Sequence, residues 1–177
     1  MEIVFEHELH PDLKSLEWLV GTWEGDGVGD YPTIEQFRFT QQISFTHIGK
    51  PYLIYTSRTW RLDEEFKQRE ALAMETGFWR VPGGGRNVEV LLSHPTGVQE
   101  IYTGEVTFNK VELVTDVVAR TETAKEITGG KRLYGLFPAQ DGTDDRDLGW
   151  VYEMAAMGHP LQVHMSAQLK KAPPQQG

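Results

Sequence analysis

Apolar and polar residues follow two different periods along this chain, and the change occurs near Gly21. Before Gly21, apolar side chains recur every three to four residues, which predicts a short amphipathic helix over residues 13–20 with Asp12 as its N-cap. After Gly21, apolar and polar residues alternate with a period of two, as in strands that bury one face. The pattern therefore predicts an all-β protein with one short N-terminal helix.

Short runs rich in Gly, Pro, Asn and Asp interrupt the alternating region at regular intervals and mark turns. One such run covers residues 25–30. We expect a turn there, because a phosphate-binding loop would need a helix start directly after it. Between the turns the sequence predicts ten strands, near residues 20–26, 34–46, 52–62, 71–81, 87–92, 98–108, 111–120, 126–137, 148–156 and 163–170.

Many short antiparallel strands joined by hairpins can form either a two-sheet sandwich or an up-and-down barrel, and only the closed barrel has no exposed sheet edge. The start of the chain favours the barrel, because a short helix followed by Gly21-Thr22-Trp23 is how lipocalin-like barrels commonly begin. We therefore predict an antiparallel up-and-down β-barrel of about ten strands. Trp23 should pack across its closed end, and its interior cavity should hold one small ligand.

The length of 177 residues suits one domain with a sizeable core. We predict an N-terminal tail over residues 1–11, a single β-barrel domain over residues 12–171 and a mobile C-terminal tail over residues 172–177. The last segment is rich in Pro and Gln and has no apolar pattern. The sequence predicts no particular oligomeric state.

The charge balance limits the kinds of partner. The chain has 17 basic and 26 acidic residues, a net charge of -9, which repels phosphate backbones and anionic lipid. No apolar run approaches the roughly 20 residues of a membrane-spanning helix, and the N-terminus is acidic where a signal peptide would be basic and then apolar. We therefore expect no nucleic-acid partner, no membrane partner and a cytoplasmic location.

Histidine is the most capable soft metal ligand available, because the chain contains no cysteine. His164 lies where a Gly-His-Pro turn leads into the last predicted strand, and it is a candidate axial metal ligand. The apolar alternation of Val163, Met165, Ala167 and Leu169 opposes this interpretation, since a strict period of two directs His164 to the opposite face. Both interpretations are open on spacing alone.

Seven motifs occur in order along nearly the whole chain. The first is a GxWxGxG pattern formed by Gly21, Trp23, Gly25 and Gly27. The other six lie at residues 31–34, 44–51, 75–78, 94–97, 123–126 and 154–164. This ordered set resembles the nitrobindin family, whose members are ten-stranded barrels related to fatty-acid-binding proteins and bind ferric haem b through one histidine.

The resemblance implies one ferric haem b per chain. Carried over residue by residue, it makes His164 the axial iron ligand and the catalytic residue, and it places Thr33 and Lys125 close to the haem. Lys125 is then the expected partner of a haem propionate, and Arg132 is a second candidate for the same role.

One stretch departs from the family pattern. Where many members have Met-His on the distal side of the haem, this chain has Leu72-Ala73-Met74. A distal imidazole is therefore absent unless His47 or His94 replaces it. Each of these histidines ends a predicted strand, and from that position we expect a capping or hydrogen-bonding role.

The function implied by the resemblance is binding of nitric oxide and isomerisation of peroxynitrite to nitrate. These two small molecules are then the expected ligands. The main alternative is a carrier of a lipid or another apolar small molecule, which would use the same barrel without chemistry. A third possibility is a barrel that is filled by its own side chains and acts through its surface. A haem protein would show an intense Soret band, which separates the first hypothesis from the other two.

Overall fold

A 3₁₀ helix and ten strands are the regular elements of the computed structural model, which describes residues 7–173 except for the side chain of Arg69. The helix spans Pro11–Leu19, and the strands are β1 (Gly21–Tyr31), β2 (Ile34–Thr46), β3 (Leu53–Leu62), β4 (Gln68–Arg80), β5 (Asn87–His94), β6 (Val98–Thr107), β7 (Lys110–Arg120), β8 (Ile127–Pro138), β9 (Arg146–Ala156) and β10 (Gln162–Lys171). Each strand pairs antiparallel with both neighbours, and the sheet closes through β1 and β10. The predicted ten-stranded barrel is confirmed. Residues 1–6 and 174–177 of the two predicted tails lie outside the described residues.

The helix is of the 3₁₀ type, and its apolar spacing accounts for this. Leu13, Leu16 and Leu19 recur every three residues, which is the period of a 3₁₀ helix, and all three are buried in the main core. The predicted N-cap is wrong. The cap residue is His10, whose Nδ1 accepts a hydrogen bond from the backbone N–H of Asp12 at 3.2 Å. None of the described helices is long and apolar enough to span a bilayer.

Trp23 lies at the end of the barrel that the helix covers. Its side chain is only 2% exposed, and its indole N–H donates a hydrogen bond to the Leu19 carbonyl at 2.9 Å. The ammonium group of Lys171 lies over the indole ring, 5.5 Å from its centre. The predicted burial of Trp23 at the closed end is therefore confirmed.

The first strand is longer than predicted, because residues 25–30 continue β1 and do not form a turn. The turn follows Tyr31, at Pro32 and Thr33. Glycines occur in this strand because neighbouring strands pass close to it. A Cβ on Gly25 would lie 2.2 Å from the Gln168 carbonyl oxygen of β10. The GxWxGxG pattern thus marks the seam that closes the barrel.

The opposite end of the barrel contains the turns between β1 and β2 and between β9 and β10. Pairing is irregular there, with register shifts in β1, β4, β7, β8 and β10. Such bulges bend strands and redirect side chains, and they are common at barrel rims and beside binding sites. This bulged end is therefore the place to look for a site.

Candidate functional site

A pocket of about 480 Å³ opens at the bulged end of the barrel. That volume is within the range of small-molecule sites. Three larger depressions, of about 900, 600 and 570 Å³, have no histidine among their described lining residues. We take the smaller pocket as the candidate site because it contains an imidazole; its lining residues are Ile34, Glu35, Phe37, Arg61, Leu72, Ala73, His164 and Met165.

His164 lines this pocket because it lies in a bulge of β10. Val163 pairs with Glu153 and Met165 with Tyr152, so His164 is the extra residue between two adjacent pairs. The bulge reverses the alternation, and Val163 points to solvent while His164 and Met165 both reach the pocket. A strict period of two would have directed His164 away from it. The tertiary structure thus decides between the two interpretations that the spacing left open.

The protonation of the His164 ring follows from its one hydrogen bond. Nδ1 lies 3.0 Å from the backbone carbonyl oxygen of Asp30, and a carbonyl oxygen only accepts, so Nδ1 carries the proton. Partial burial lowers the pKa of His164 below its usual value, although the contact with Asp30 opposes this shift. The imidazole is therefore neutral near pH 7, and its Nε2 lone pair is available to a metal.

Two tyrosines hold the His164 ring in place. The rings of Tyr31 and Tyr152 meet it edge-on, with centroid distances of 5.4 and 5.9 Å. Tyr31 is itself fixed, because its hydroxyl accepts a hydrogen bond from the Ala156 N–H at 2.9 Å and donates to the Met154 carbonyl at 3.1 Å. The orientation of the imidazole is therefore determined by its surroundings.

Thr33 and Lys125 lie at the same end of the barrel as His164. Thr33 is in the β1–β2 turn, one residue before Ile34 of the pocket wall, and Lys125 is in the β7–β8 connection. Both are exposed, and neither is among the residues that line the pocket. Their roles at a cofactor stay predictions.

A buried polar network occupies the barrel interior. The Arg132 guanidinium donates hydrogen bonds to both carboxylate oxygens of Glu75, at 2.6 and 2.9 Å. Glu100 accepts a hydrogen bond from the Tyr102 hydroxyl at 2.7 Å and lies 2.6 Å from Nε2 of His94. Burial would raise the pKa of Glu75, but Arg132 and His94 lower it to about 2. Glu75 is therefore ionised at neutral pH.

The buried network shows that Arg132 is not a propionate partner, contrary to expectation, and it identifies the hydrogen-bond partner of His94. The Arg132 side chain is buried and paired with Glu75, so it is not free to meet a propionate. His94 faces Glu100 and does not line the pocket, so it replaces no distal imidazole, and its predicted hydrogen-bonding role is confirmed. His47 likewise lies outside the pocket, and its Nδ1 accepts a hydrogen bond from the Gly49 N–H at 3.4 Å.

Sequence reasoning missed Glu100 and the true partner of Arg132. A signal was present, because Glu100 shares the inward face of β6 with Val98 and Tyr102. An isolated carboxylate on an apolar strand face indicates a buried partner, since an unpaired buried charge is very costly. The partner of Arg132 is not encoded locally, because Arg132 lies on β8 and Glu75 on β4.

Comparison with known proteins agrees with this geometry. The family model described as "THAP4-like, heme-binding beta-barrel domain" matches residues 12–171, which is most of the chain. The chain belongs to this family. Its cofactor is accordingly haem.

Individual proteins are similar to this haem-binding barrel over nearly their full lengths. A peroxynitrite isomerase of Nocardioides sp. (strain ATCC BAA-499 / JS614) is 49% identical, with 91% of this chain and 93% of the relative covered. A ferric nitrobindin-like protein of Thermobifida fusca (strain YX) is 45% identical, with 94% and 97% covered. The crystal structure of Rv2717c from M. tuberculosis superposes with a TM-score of 0.79 at 35% identity, covering 94% of this chain and 100% of that one.

The residues of the pocket fit a haem. Ile34, Phe37 and Met165 provide apolar walls for a macrocycle, and a neutral imidazole anchored through Nδ1 is the form that binds haem iron. Leu72 and Ala73 line the pocket from β4, four strands away from β10 around the ring. Their side chains have no hydrogen-bond donor, and His164 is the one imidazole among the described residues that line this pocket.

Proposed function

We propose that this chain binds ferric haem b beside His164 and isomerises peroxynitrite to nitrate there. The observation that carries the proposal is the His164 imidazole, whose Nδ1–H is held by the Asp30 carbonyl and whose Nε2 is free at the wall of an apolar pocket. Support also comes from relatives at 45–49% identity that are named peroxynitrite isomerases. In this proposal His164 is both the axial ligand and the catalytic residue.

The proposed chemistry needs little from the protein beyond binding and orientation. When bound, haem supplies a Lewis-acid and oxygen-transfer centre. His164 would hold the haem iron through Nε2, and Tyr31 and Tyr152 keep the imidazole in the orientation that this needs. Leu72 and Ala73 give the pocket an apolar wall on β4. Isomerisation involves no net transfer of electrons, so the chain needs no site for an electron donor.

Two further residues belong to the proposed cofactor site. Thr33 and Lys125 lie at the rim of the same barrel end, where haem carboxylates can meet solvent. The exposed ammonium of Lys125 suits a propionate, because a charge-assisted hydrogen bond forms at little desolvation cost on a rim. Arg132 has no part in this proposal.

Nitric oxide is the second proposed ligand. Its bond to haem iron needs less polar support than that of dioxygen, and the side chains of Leu72 and Ala73 offer no hydrogen bond. The ferrous protein should therefore bind nitric oxide but oxidise in air without a lasting oxy form. For larger partners we propose neither nucleic acid nor membrane, on the basis of the net charge of -9, and we keep the predicted cytoplasmic location.

Stopped-flow mixing of ferric haem-loaded protein with peroxynitrite tests the reaction. We expect faster decay, nitrate as the product and less nitration of added phenol. Cofactor-free protein and the His164→Ala variant are the controls, and both should leave the decay at its spontaneous rate. If the haem-loaded protein is no faster than these controls, the isomerase proposal fails and the apolar-carrier alternative becomes the better one.

A further inference from the structure

We propose that Arg61 draws anions into this pocket and thereby makes peroxynitrite, as an anion, a favoured ligand. The inference rests on the haem site proposed above, and it assigns a role in ligand selection to a side chain outside the nitrobindin-like motifs.

Arg61 belongs to the inward-facing row of β3. Along this strand Leu53, Tyr55, Ser57 and Thr59 are buried, and the residues between them are less so. Arg61 is the next member of this row, and it lines the pocket. Its charge is therefore directed toward the barrel mouth, whereas Arg58 lies on the opposite, outer face of the same strand.

The guanidinium is held by an aromatic ring. Arg61 pairs across the sheet with Phe39, one inward position deeper than Phe37. Its guanidinium carbon lies 5.5 Å from the centre of the Phe37 ring, within the range of a cation–π contact. Phe37 also lines the pocket, so this contact keeps the cation at the pocket wall.

No described carboxylate forms a salt bridge with Arg61. Glu70 lies opposite it on β4, and Asp63 and Glu64 line the neighbouring depression, but within the part of the chain that the structure describes the guanidinium forms neither a salt bridge nor a hydrogen bond. Arg132 shows the contrast, since both of its terminal nitrogens are matched by Glu75. An unpaired guanidinium beside an apolar pocket has its donors available for an anion.

The positive charge of Arg61 matters for anion binding because the protein as a whole is negatively charged. The net charge of -9 disfavours the approach of any anion, and peroxynitrite is an anion at neutral pH. Among the described residues that line the pocket, Arg61 is the only lysine or arginine. Glu35 also lines it, but it lies four positions before Phe39 on β2, about 13 Å nearer the outer lip at the usual strand rise. Of the two residues, the one at the deeper backbone position is the positive one.

The test uses ferric haem-loaded protein and two ligands that differ in charge, azide as the anion and nitric oxide as the neutral ligand. Their association rates are measured by stopped flow at several ionic strengths. Arg61→Gln should slow azide about threefold to thirtyfold, the range for one charge at roughly 8 Å, and should flatten its salt dependence. Arg61→Lys should keep most of the rate. Nitric oxide association should not change.

Two further variants make the test specific. Glu35→Gln removes the opposite charge from the same pocket and should speed azide association. Arg58→Gln removes the same charge from the outer face of β3, and it should leave both ligands unchanged. Haem dissociation is measured for every variant.

Three results would overturn the inference: an unchanged azide rate in Arg61→Gln, an equal loss for azide and nitric oxide, or faster haem release with azide association unchanged. The last result would make Arg61 a propionate partner. Because azide binding involves no isomerisation, the two proposals fail separately. If the azide rate depends on the charge of Arg61 but peroxynitrite decay is not accelerated, the isomerase proposal is refuted and the proposed role of Arg61 in attracting anions stands.

Discussion

His164 acquires its proposed role from atoms that are distant in sequence. The Asp30 carbonyl selects the tautomer with a free Nε2, and the Tyr31 and Tyr152 rings limit rotation. Each contact comes from another strand. A histidine at the same place in an isolated strand would have neither a defined tautomer nor a defined direction.

The first prediction concerns His164 and pH. Because burial lowers the pKa of His164, the unfolded chain takes up this proton before the folded one does as pH falls. The contribution of neutral His164 is thus complete above about pH 6.5 and decreases below it, down to the lower pKa of the folded protein. Haem should be released over the same acid range, since a ligating imidazole must be unprotonated, and the iron bond should move the midpoint lower still. Soret absorbance during acid titration measures this.

The control is His94→Ala, which alters an imidazole outside the pocket and should leave a five-coordinate ferric spectrum at neutral pH. His164→Ala should lose most of its haem affinity. Equal haem retention by His164→Ala and the parent protein would remove His164 from the site.

The second prediction concerns Glu75, whose carboxylate neutralises buried Arg132. Glu75→Gln should lower the free energy of unfolding by about 3–5 kcal/mol at pH 7, because it removes the bidentate counter-charge of a buried guanidinium and leaves only the Glu100 carboxylate, 3.7 Å away. The pKa of Glu75 is lowered from 4.5 to about 2, so this stabilisation is complete above about pH 4.5 and is lost as pH falls toward 2. The difference between variant and parent in urea unfolding should therefore shrink across that window.

Glu89→Gln is the matched control, since Glu89 pairs with Arg80 on the surface at 3.2 Å with both side chains about half exposed. Such a pair contributes about 0–1 kcal/mol. If Glu75→Gln costs no more than Glu89→Gln, the network is not a stabilising unit.

At the scale of elements, the seam between β1 and β10 sets the position of His164. Gly27 allows this approach, because a Cβ there would lie 2.4 Å from both the Ser166 carbonyl oxygen and the Phe39 ring. Ser166 is two residues from His164. A change at the GxWxGxG pattern should therefore affect the pocket although the pattern does not line it.

The third prediction is that Gly27→Ala destabilises the barrel by about 1–3 kcal/mol, as overpacking does, and weakens haem binding by displacing β10. Unfolding and haem titration of the same variant measure both effects. Gly135→Ala on β8 is the control, because the nearest atom to its new Cβ is 3.6 Å away, an ordinary contact. A Gly27→Ala protein with unchanged haem affinity would separate the seam from the site.

At the scale of the whole molecule, the two ends of the barrel have different tasks. The helix and Trp23 close one end with apolar packing. The bulges at the other end leave the pocket open. The apolar packing of the closed end therefore lies away from the site.

The fourth prediction follows from this division. Trp23→Ala should lower the free energy of unfolding by about 3–5 kcal/mol, as for other large-to-small core changes. Phe108→Ala, at a side chain that is 93% exposed, should change it by less than about 0.5 kcal/mol. Chemical denaturation compares them. Equal midpoints for the two variants would place Trp23 outside the core.

Local pattern was sufficient for the ten strands and the short helix, because alternation and turn residues act over a few positions. The burial of Trp23 was expected from the way lipocalin-like barrels begin. It was misleading at residues 25–30, where glycines that serve close strand packing have the composition of a turn. Haem and His164 came from a resemblance spread over seven motifs and not from spacing.

The tertiary structure decided what depends on pairing between distant strands. The bulge at His164 exists only relative to the register of β9, and Arg132 on β8 meets Glu75 on β4. The side chain of Arg61 lines a pocket only because β2, β4 and β10 supply the other walls. The sequence determines which side chains are present, and the closure of the barrel determines which of them come into contact.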